Sequence, residues 1–309
     1  MTLLPPATSR ASTRAADLAP HTRVVIVHYG DIGLTQRAVA SVLAGSLQPG
    51  LIVVVDNGPG EYPEADGDRG QRLLVLRQGR NAGFAGGVNA GLAALPDDPE
   101  GLVWLLNNDA VATTTALEEL LATVGRLPGR ALVSSLVLDD ATGEPWFERP
   151  RYLPWRLESR HSRHSQAILG VDADVDVGSA ASWRSMPYLP GCSLLIPGRV
   201  LVALGGLDRS FFMYGEDVDF AMRAARMGCA LVLSQRSVVR HRAGSAARPA
   251  VRERFLAESA FRLTARYHAW LLPVAVVAGL ATGVKRLATT RELWWLTARI
   301  RGYAAAIVH

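Results

Sequence analysis

Apolar residues recur along this chain in two alternating rhythms: short unbroken runs, and longer stretches that repeat every three to four positions. The runs RVVIVHYG (23–30), GLIVVVDNGPG (50–60), QRLLVLRQG (71–79), GLVWLLNNDA (101–110) and ALVSSLVLDD (131–140) are β-branched or leucine-rich. Most of them break into glycine or polar residues, as strands buried on both faces do. Between them, LTQRAVASVLAG (34–45), the glycine-rich RNAGFAGGVNAGLAAL (80–95) and TTTALEELLATVGRL (113–127) lead into or carry helical spacing. The last has a threonine to cap it and glutamates in its first turns. Strand-helix alternation predicts an α/β domain with a largely parallel, open sheet covered by helices. Ligands of such sheets bind beyond the C-terminal strand ends. The polar residues on that rim are His28-Tyr29-Gly30, Asp56-Asn57-Gly58, Arg80-Asn81 and Asn107-Asn108-Asp109.

Elsewhere the rhythm fails or changes. Residues 1–22 lack a continuous apolar run and read as a disordered lead-in with no signal peptide. Residues 141–187 lose periodicity in an excursion rich in Arg, His, Trp and Pro, where HSRHS (161–165) reads as a solvated basic loop rather than a metal site. Order returns at 188, passes through FFMYGEDVDFAMRAARMGC (211–229), and continues in a strand over 230–246 that contains His241. Helices follow to the end. The expected organisation is a lead-in (1–22), an α/β domain (23–250, in halves 23–140 and 141–250) and a helical C-terminal region (251–309).

Composition adds three points. A chain of 309 residues, 49% hydrophobic and 20% charged, suffices for a large core. Its net charge of +5 is carried almost wholly by arginine, with Lys285 the single lysine. Cations crowd 149–164 and the C-terminal third, which points to phosphates or an anionic membrane surface and not to nucleic acid. Cys192 and Cys229 have no ligand spacing and read as buried thiols in a reducing compartment.

Several stretches carry candidate chemistry, each with a plainer reading beside it. Asp56 in Asp-Asn-Gly suits a turn, and its carboxylate could also accept from a nucleobase N–H or a ribose hydroxyl. Gly83, Gly86, Gly87 and Gly91 follow the acid-bearing turn, the wrong order for a dinucleotide fingerprint, and no Gly-Lys-Ser/Thr of a P-loop is present. These glycines serve either helix–sheet packing or the approach of an anion to a helix N-terminus beside Arg80. Strand alternation would put Asn107 and Asp109 on one side, a pair suited to Mg²⁺ or Mn²⁺, or to a bland capped turn. In the acidic burst, the helix dipole accounts for Glu216 and an i, i+4 partner, Arg223, for Asp219. Asp217 is left over beside the aromatic wall of FFMYG.

Taken in order, VVIVHYG, VVVDNG, GRNAGFAGGVNAGL, LLNNDA, GCSLLIPGRVLVALGGLDRSFFMYGEDVDFAMRAARMG and VVRHRAGS resemble family 2 glycosyltransferases of the GT-A fold. The likeness spans residues 23 to about 246 and is nearest to bacterial rhamnosyltransferase-like members of cell-wall or surface-polysaccharide assembly. It implies a mixed, mostly parallel sheet with helices on both faces. It also implies inverting transfer of a sugar, rhamnose or another hexose, from a dTDP- or UDP-linked donor. The acceptor would be a hydroxyl of a glycan or lipid-linked precursor. By the resemblance, Asp56 contacts the nucleobase with His28 and Tyr29 beside it. Asn57, Arg80, Asn81, Gly83, Gly86, Asn89, Asn107 and Asn108 line the donor. Asp109 and His241 hold a Mg²⁺ or Mn²⁺, Asp217 is the general base and Glu216 supports it. Asn107 replaces the first acid of the strict D-x-D motif, and Gly30 stands where asparagine is common. A catalytically silent nucleotide-sugar-binding scaffold is the alternative expectation, and a homodimer is a further one. YHAWLLPVAVVAGLATGV (267–284), apolar and bounded by cations, followed by tryptophans and arginines, suggests a cytoplasmic protein peripheral on the inner membrane face.

Overall fold

The computed structural model describes residues 7–59, 62, 72–96, 98–127, 130–147, 151–160, 183–242, 248–291 and 293–308. The HSRHS segment lies outside them. In chain order the elements begin α1 (Ala7–Leu18), β1 (Thr22–His28), α2 (Ile32–Leu43), β2 (Leu51–Asp56), β3 (Leu73–Arg77) and α3 (Gly83–Ala93). There follow β4 (Leu102–Leu106), β5 (Ala110–Ala112), α4 (Ala116–Arg126) and β6 (Ala131–Asp139). A hairpin of β7 (Arg151–Leu153) and β8 (Glu158–Arg160) precedes β9 (Trp183–Ser185), β10 (Ser193–Pro197), α5 (Gly198–Leu204), α6 (Glu216–Arg226) and β11 (Ala230–His241). Helices α7 (Pro249–Tyr267), α8 (Leu272–Thr290) and α9 (Leu293–Val308) complete the chain.

The sheet runs β3-β2-β1-β4-β10-β6-β11-β5, with β9 paired to β11. β3, β2, β1 and β4 are mutually parallel, so the ends bearing His28, Asp56 and Asn107 share one rim. β10 then inserts antiparallel between β4 and β6, which makes the second half mixed. Alternation explains why the strands read as unbroken apolar runs. Val24, Ile26, Ile52 and Val54 face one core with α2 and α4, while Val25, Val27, Val53 and Val55 face the other with α3, α5 and α6.

Two expectations need correction. Residues 7–18 form a helix rather than a disordered lead-in: Ala15 is fully buried, and the Arg14 guanidinium donates to the Gly125 carbonyl of α4 at 3.1 Å. Thr115 precedes α4 without a side-chain cap, and the hydroxyl of Thr113 instead donates to the Val238 carbonyl of β11.

Candidate active site

At the β1 end, burial sets the character of His28, which is 1% exposed. Its Nδ1 shares a 2.7 Å hydrogen bond with the Thr35 hydroxyl, and its ring leans on Tyr62. Desolvation lowers its pKa, against the opposing fields of Asp56 and Asp31, so it is neutral at pH 7. Tyr29 beside it is 41% exposed, and its carbonyl accepts from Asn108. Asp56 stands opposite His28 in the sheet register and accepts from the N–H groups of Gly58 (3.2 Å) and Tyr62 (2.9 Å). The turn reading of Asp-Asn-Gly is therefore realised in the backbone.

Asn57 fastens the glycine-rich segment to β2. Its Nδ2 donates to Asn81 Oδ1 and the Gly83 carbonyl, and its Oδ1 accepts from Ala82 N–H. Gly83 has φ of +76°, and a Cβ there would collide with the Phe212 carbonyl that accepts from Phe84 N–H. Added methyls at Gly87 and Gly91 would run into Val27 and Val25 of β1, so these two glycines set α3 hard against the sheet. Gly86 is hemmed in only by Ala82 Cβ. Asn89 is buried, donates to the Leu207 carbonyl at 2.7 Å and accepts from Leu207 N–H at 2.9 Å. Its amide thus latches the turn after α5. Arg80 is exposed at the rim.

β4 stops at Leu106, and Ala110 N–H closes onto the Asn107 carbonyl. Asn107 and Asp109 therefore occupy a tight turn, not one side of an extended strand. The pairing of β11 with β5 puts His241 opposite Ala110, and so beside Asp109. His241 Nε2 lies 3.1 Å from Asp109 Oδ1. Nδ1 of the same ring is buried without a hydrogen-bond partner, and the Trp146 ring packs edge-on at 4.8 Å.

Tyr214 and Gly215, both left-handed (φ 69° and 81°), turn the chain into α6. A Cβ at Gly215 would press on Ser259, whose hydroxyl donates to the Met213 carbonyl and supports the turn from α7. At the first residues of α6, Asp217 accepts from Gly191 N–H through Oδ2 (3.0 Å) and from Val218 N–H through Oδ1 (2.8 Å). Glu216 is buried, and its Oε2 has no partner. Burial, then the charge of Asp217, holds the Glu216 carboxyl well above the usual carboxylate range. Burial also raises Asp217, while the N–H groups of Gly191 and Val218 pull it back. Of the pair, Glu216 is pushed the further, so it takes up a proton before Asp217 does as pH falls.

The start of β10 joins these parts. The Cys192 carbonyl accepts from Asn107 N–H at 2.9 Å, while Gly191 N–H holds Asp217. The Cys192 thiol is pushed up by burial and by the fields of both Asp109 and Asp217, so both acids lie near this two-residue strap. Sequence reading passed over Gly191 and Trp146, took Cys192 only as a buried thiol and Tyr214 only as part of the aromatic wall beside Asp217. Only the small Gly-Cys pair before SLLIP was a visible signal.

An Asp-His pair 3.1 Å apart matches the edge of an octahedron with bonds of about 2.1 Å. Among the described residues no third His, Cys, Asp or Glu side chain joins them in a metal-holding group. A cation held there would complete its shell with water and phosphate oxygens, as Mg²⁺ does.

A sheet with polar turns at one rim and a buried acid at a helix start suits ligand binding and proton transfer at that rim. Residues 23–186 match the family described as "Glycosyl transferase family 2", and the chain belongs to that family. It is a glycosyltransferase, similar to the "N-acetylglucosaminyl-diphospho-decaprenol L-rhamnosyltransferase" of Mycobacterium tuberculosis. The two are 27% identical over 244 residues, 73% of this chain and 77% of the relative. Two solved structures share the fold. The mannosyltransferase PcManGT from Pyrobaculum calidifontis, in complex with GDP-Man and Mn²⁺, has a TM-score of 0.55 and 16% identity over 97% of this chain and 94% of that one. GalNAc-T7 with UDP, GalNAc and Mn²⁺ has a TM-score of 0.58 and 15% identity over 79% of this chain and 47% of that one.

Proposed function

We propose that this enzyme is an inverting, divalent-cation-dependent transferase. It moves a hexose, rhamnose before others, from a dTDP- or UDP-linked donor to a hydroxyl of a lipid-linked or cell-surface glycan precursor. One observation carries the reading: Asp217, held by backbone N–H groups at a helix start, hangs from the same strap that bears the turn of Asp109. The rhamnosyltransferase relative, named for a decaprenol-linked substrate, supports the choice of sugar and acceptor class.

Asp217 takes the proton of the acceptor hydroxyl as that oxygen forms its bond to the anomeric carbon. The bond from that carbon to the departing diphosphate breaks on the opposite side, which inverts the centre. Asp109 and His241 hold the cation, which supplies charge neutralisation for the leaving diphosphate. Asp56 orients the nucleobase, and Arg80 faces the diphosphate. Neutral Glu216 keeps a second negative charge away from the base.

The test is Asp217→Asn. Transfer should fall by about 10²–10⁴-fold with donor affinity nearly unchanged; a loss of only a few-fold in a folded variant refutes the base. EDTA should abolish transfer and weaken donor binding, and indifference of both would remove the cation from the scheme.

A further inference from the structure

The C-terminal hairpin presents an apolar face that is left exposed among the described residues. On α8 and the turn before it, Trp270, Val274, Val277 and Val284 are 78%, 61%, 67% and 58% exposed. They recur at spacings of four, three and seven, so they form one stripe along the helix. Ile300 and Ile307 of α9 are 48% and 71% exposed at the same seven-residue interval. No charged side chain interrupts α8 before Lys285.

The opposite side of α8 is committed to the protein. Ala275 is fully buried, and methyls added at Gly279 and Gly283 would collide with Tyr303 and Leu296 of α9. The helix also packs on the Pro154–Arg156 turn. Arg299 of α9 ties the hairpin down further, donating to Glu253 of α7 and to the Leu157 carbonyl. By length and mean hydropathy (1.5) the segment Ala269–Thr289 would suit a span. Crossing a bilayer would tear it from all these partners, so a contact along its outer stripe is the one that keeps the fold.

Charge decides what makes that contact. Residues 249–309 hold nine Lys and Arg against three Asp and Glu, a net +6, whereas residues 1–248 hold 24 against 25, a net −1. Two of those three acids are already paired internally, Glu253 with Arg299 and Glu258 with Arg262. Exposed Lys285, Arg291 and Arg301 border the apolar stripes. A second copy docked through the same face would set +6 against +6. An anionic lipid surface attracts both the apolar stripe and its cationic border.

We propose that α8 and α9 dock flat on an anionic phospholipid leaflet, with the Trp270–Val284 stripe entering the headgroup–acyl boundary. This goes beyond glycosyl transfer and stands independently of it. The test is flotation of the full chain with vesicles of phosphatidylcholine alone and with a third of phosphatidylglycerol added. Wild type should float with the anionic vesicles and stay behind with the neutral ones. Val277→Glu, at an exposed position, should melt as wild type does and partition at least about ten-fold less. Val202→Glu, an equally exposed valine on α5 (59%), should float as wild type. The proposal fails if wild type ignores anionic vesicles, if it binds neutral vesicles as well, or if Val277→Glu floats undiminished. It also fails if Val277→Glu merely converts a dimer to a monomer. Donor hydrolysis without vesicles should be unaffected by Val277→Glu, so failure here is separable from failure of the Asp217 scheme.

Discussion

Glu216 shows how a single side chain sets conditions for its neighbour. Enclosed, with one oxygen unpartnered and Asp217 beside it, its carboxyl is held well above the usual carboxylate range in the folded state. In the unfolded chain it loses its proton near the ordinary value of 4.5. Between that value and its raised folded pKa, the folded state therefore binds the extra proton, and stability falls as pH rises. Glu216→Gln should flatten this slope: its stability relative to wild type should climb with pH by up to about 1.4 kcal/mol per unit in that window. Chemical denaturation across the acid-to-neutral range reads it directly, and parallel curves for both proteins would show that folding leaves the Glu216 pKa unshifted. Asp219, three residues on, is fully partnered instead. It is fully buried, yet accepts from Arg223 (2.7 Å), Arg266 (2.6 Å) and the Tyr267 hydroxyl (2.6 Å). The Arg266 pKa rises through these bonds and its contact with Asp208, against the desolvation that would lower it.

At the scale of elements, that side chain fastens α6 to α7. Asp219→Asn should cost about 2–3 kcal/mol, toward the lower side for a broken buried pair because both arginines reach solvent. A change under about 0.5 kcal/mol in a denaturant titration would show that the helices are held by apolar packing alone. β1 to β4, β6, β11, α2 to α4 and α6 were legible in the sequence, because each buries side chains with its own period, whereas β7, β8 and β9 fall in the stretch that read as an irregular excursion. The Asp219–Arg223 pair was legible for the same reason, since four residues is one helical turn. Its second and third partners were not: Arg266 and Tyr267 come from an element more than forty residues away. Likewise the candidate residues at the rim could be named, but the adjacency of His241 to Asp109 depends on β11 pairing antiparallel to β5. Asn89 looked ligand-facing on its glycine-rich helix and turned out to latch Leu207. α1 escaped notice because, among its described side chains, only Ala15 is fully buried and Leu18 partly so, which leaves no strong apolar signal although the helix packs on α4.

For the whole molecule, the expected division at residue 251 separates helices that the fold unites. α7 supplies Ser259 to the turn before α6 and Arg266 and Tyr267 to Asp219. A chain ending after Arg248 should lose its cooperative thermal transition, whereas one ending after His268 should keep it at a lower temperature. Calorimetry distinguishes the two, and an unchanged melt for the shorter chain would make the C-terminal helices a mere appendage. The strap at Gly191–Cys192 has a wider consequence. The turn bearing Asp109 and the carboxylate of Asp217 hang from successive residues of one strand start, whose Cα atoms are fixed about 3.8 Å apart by covalent geometry. In the proposed scheme this strap is a built-in ruler between the proton acceptor and the cation-binding turn. Loops at the rim could then change with the sugar or the acceptor while the ruler stays the same.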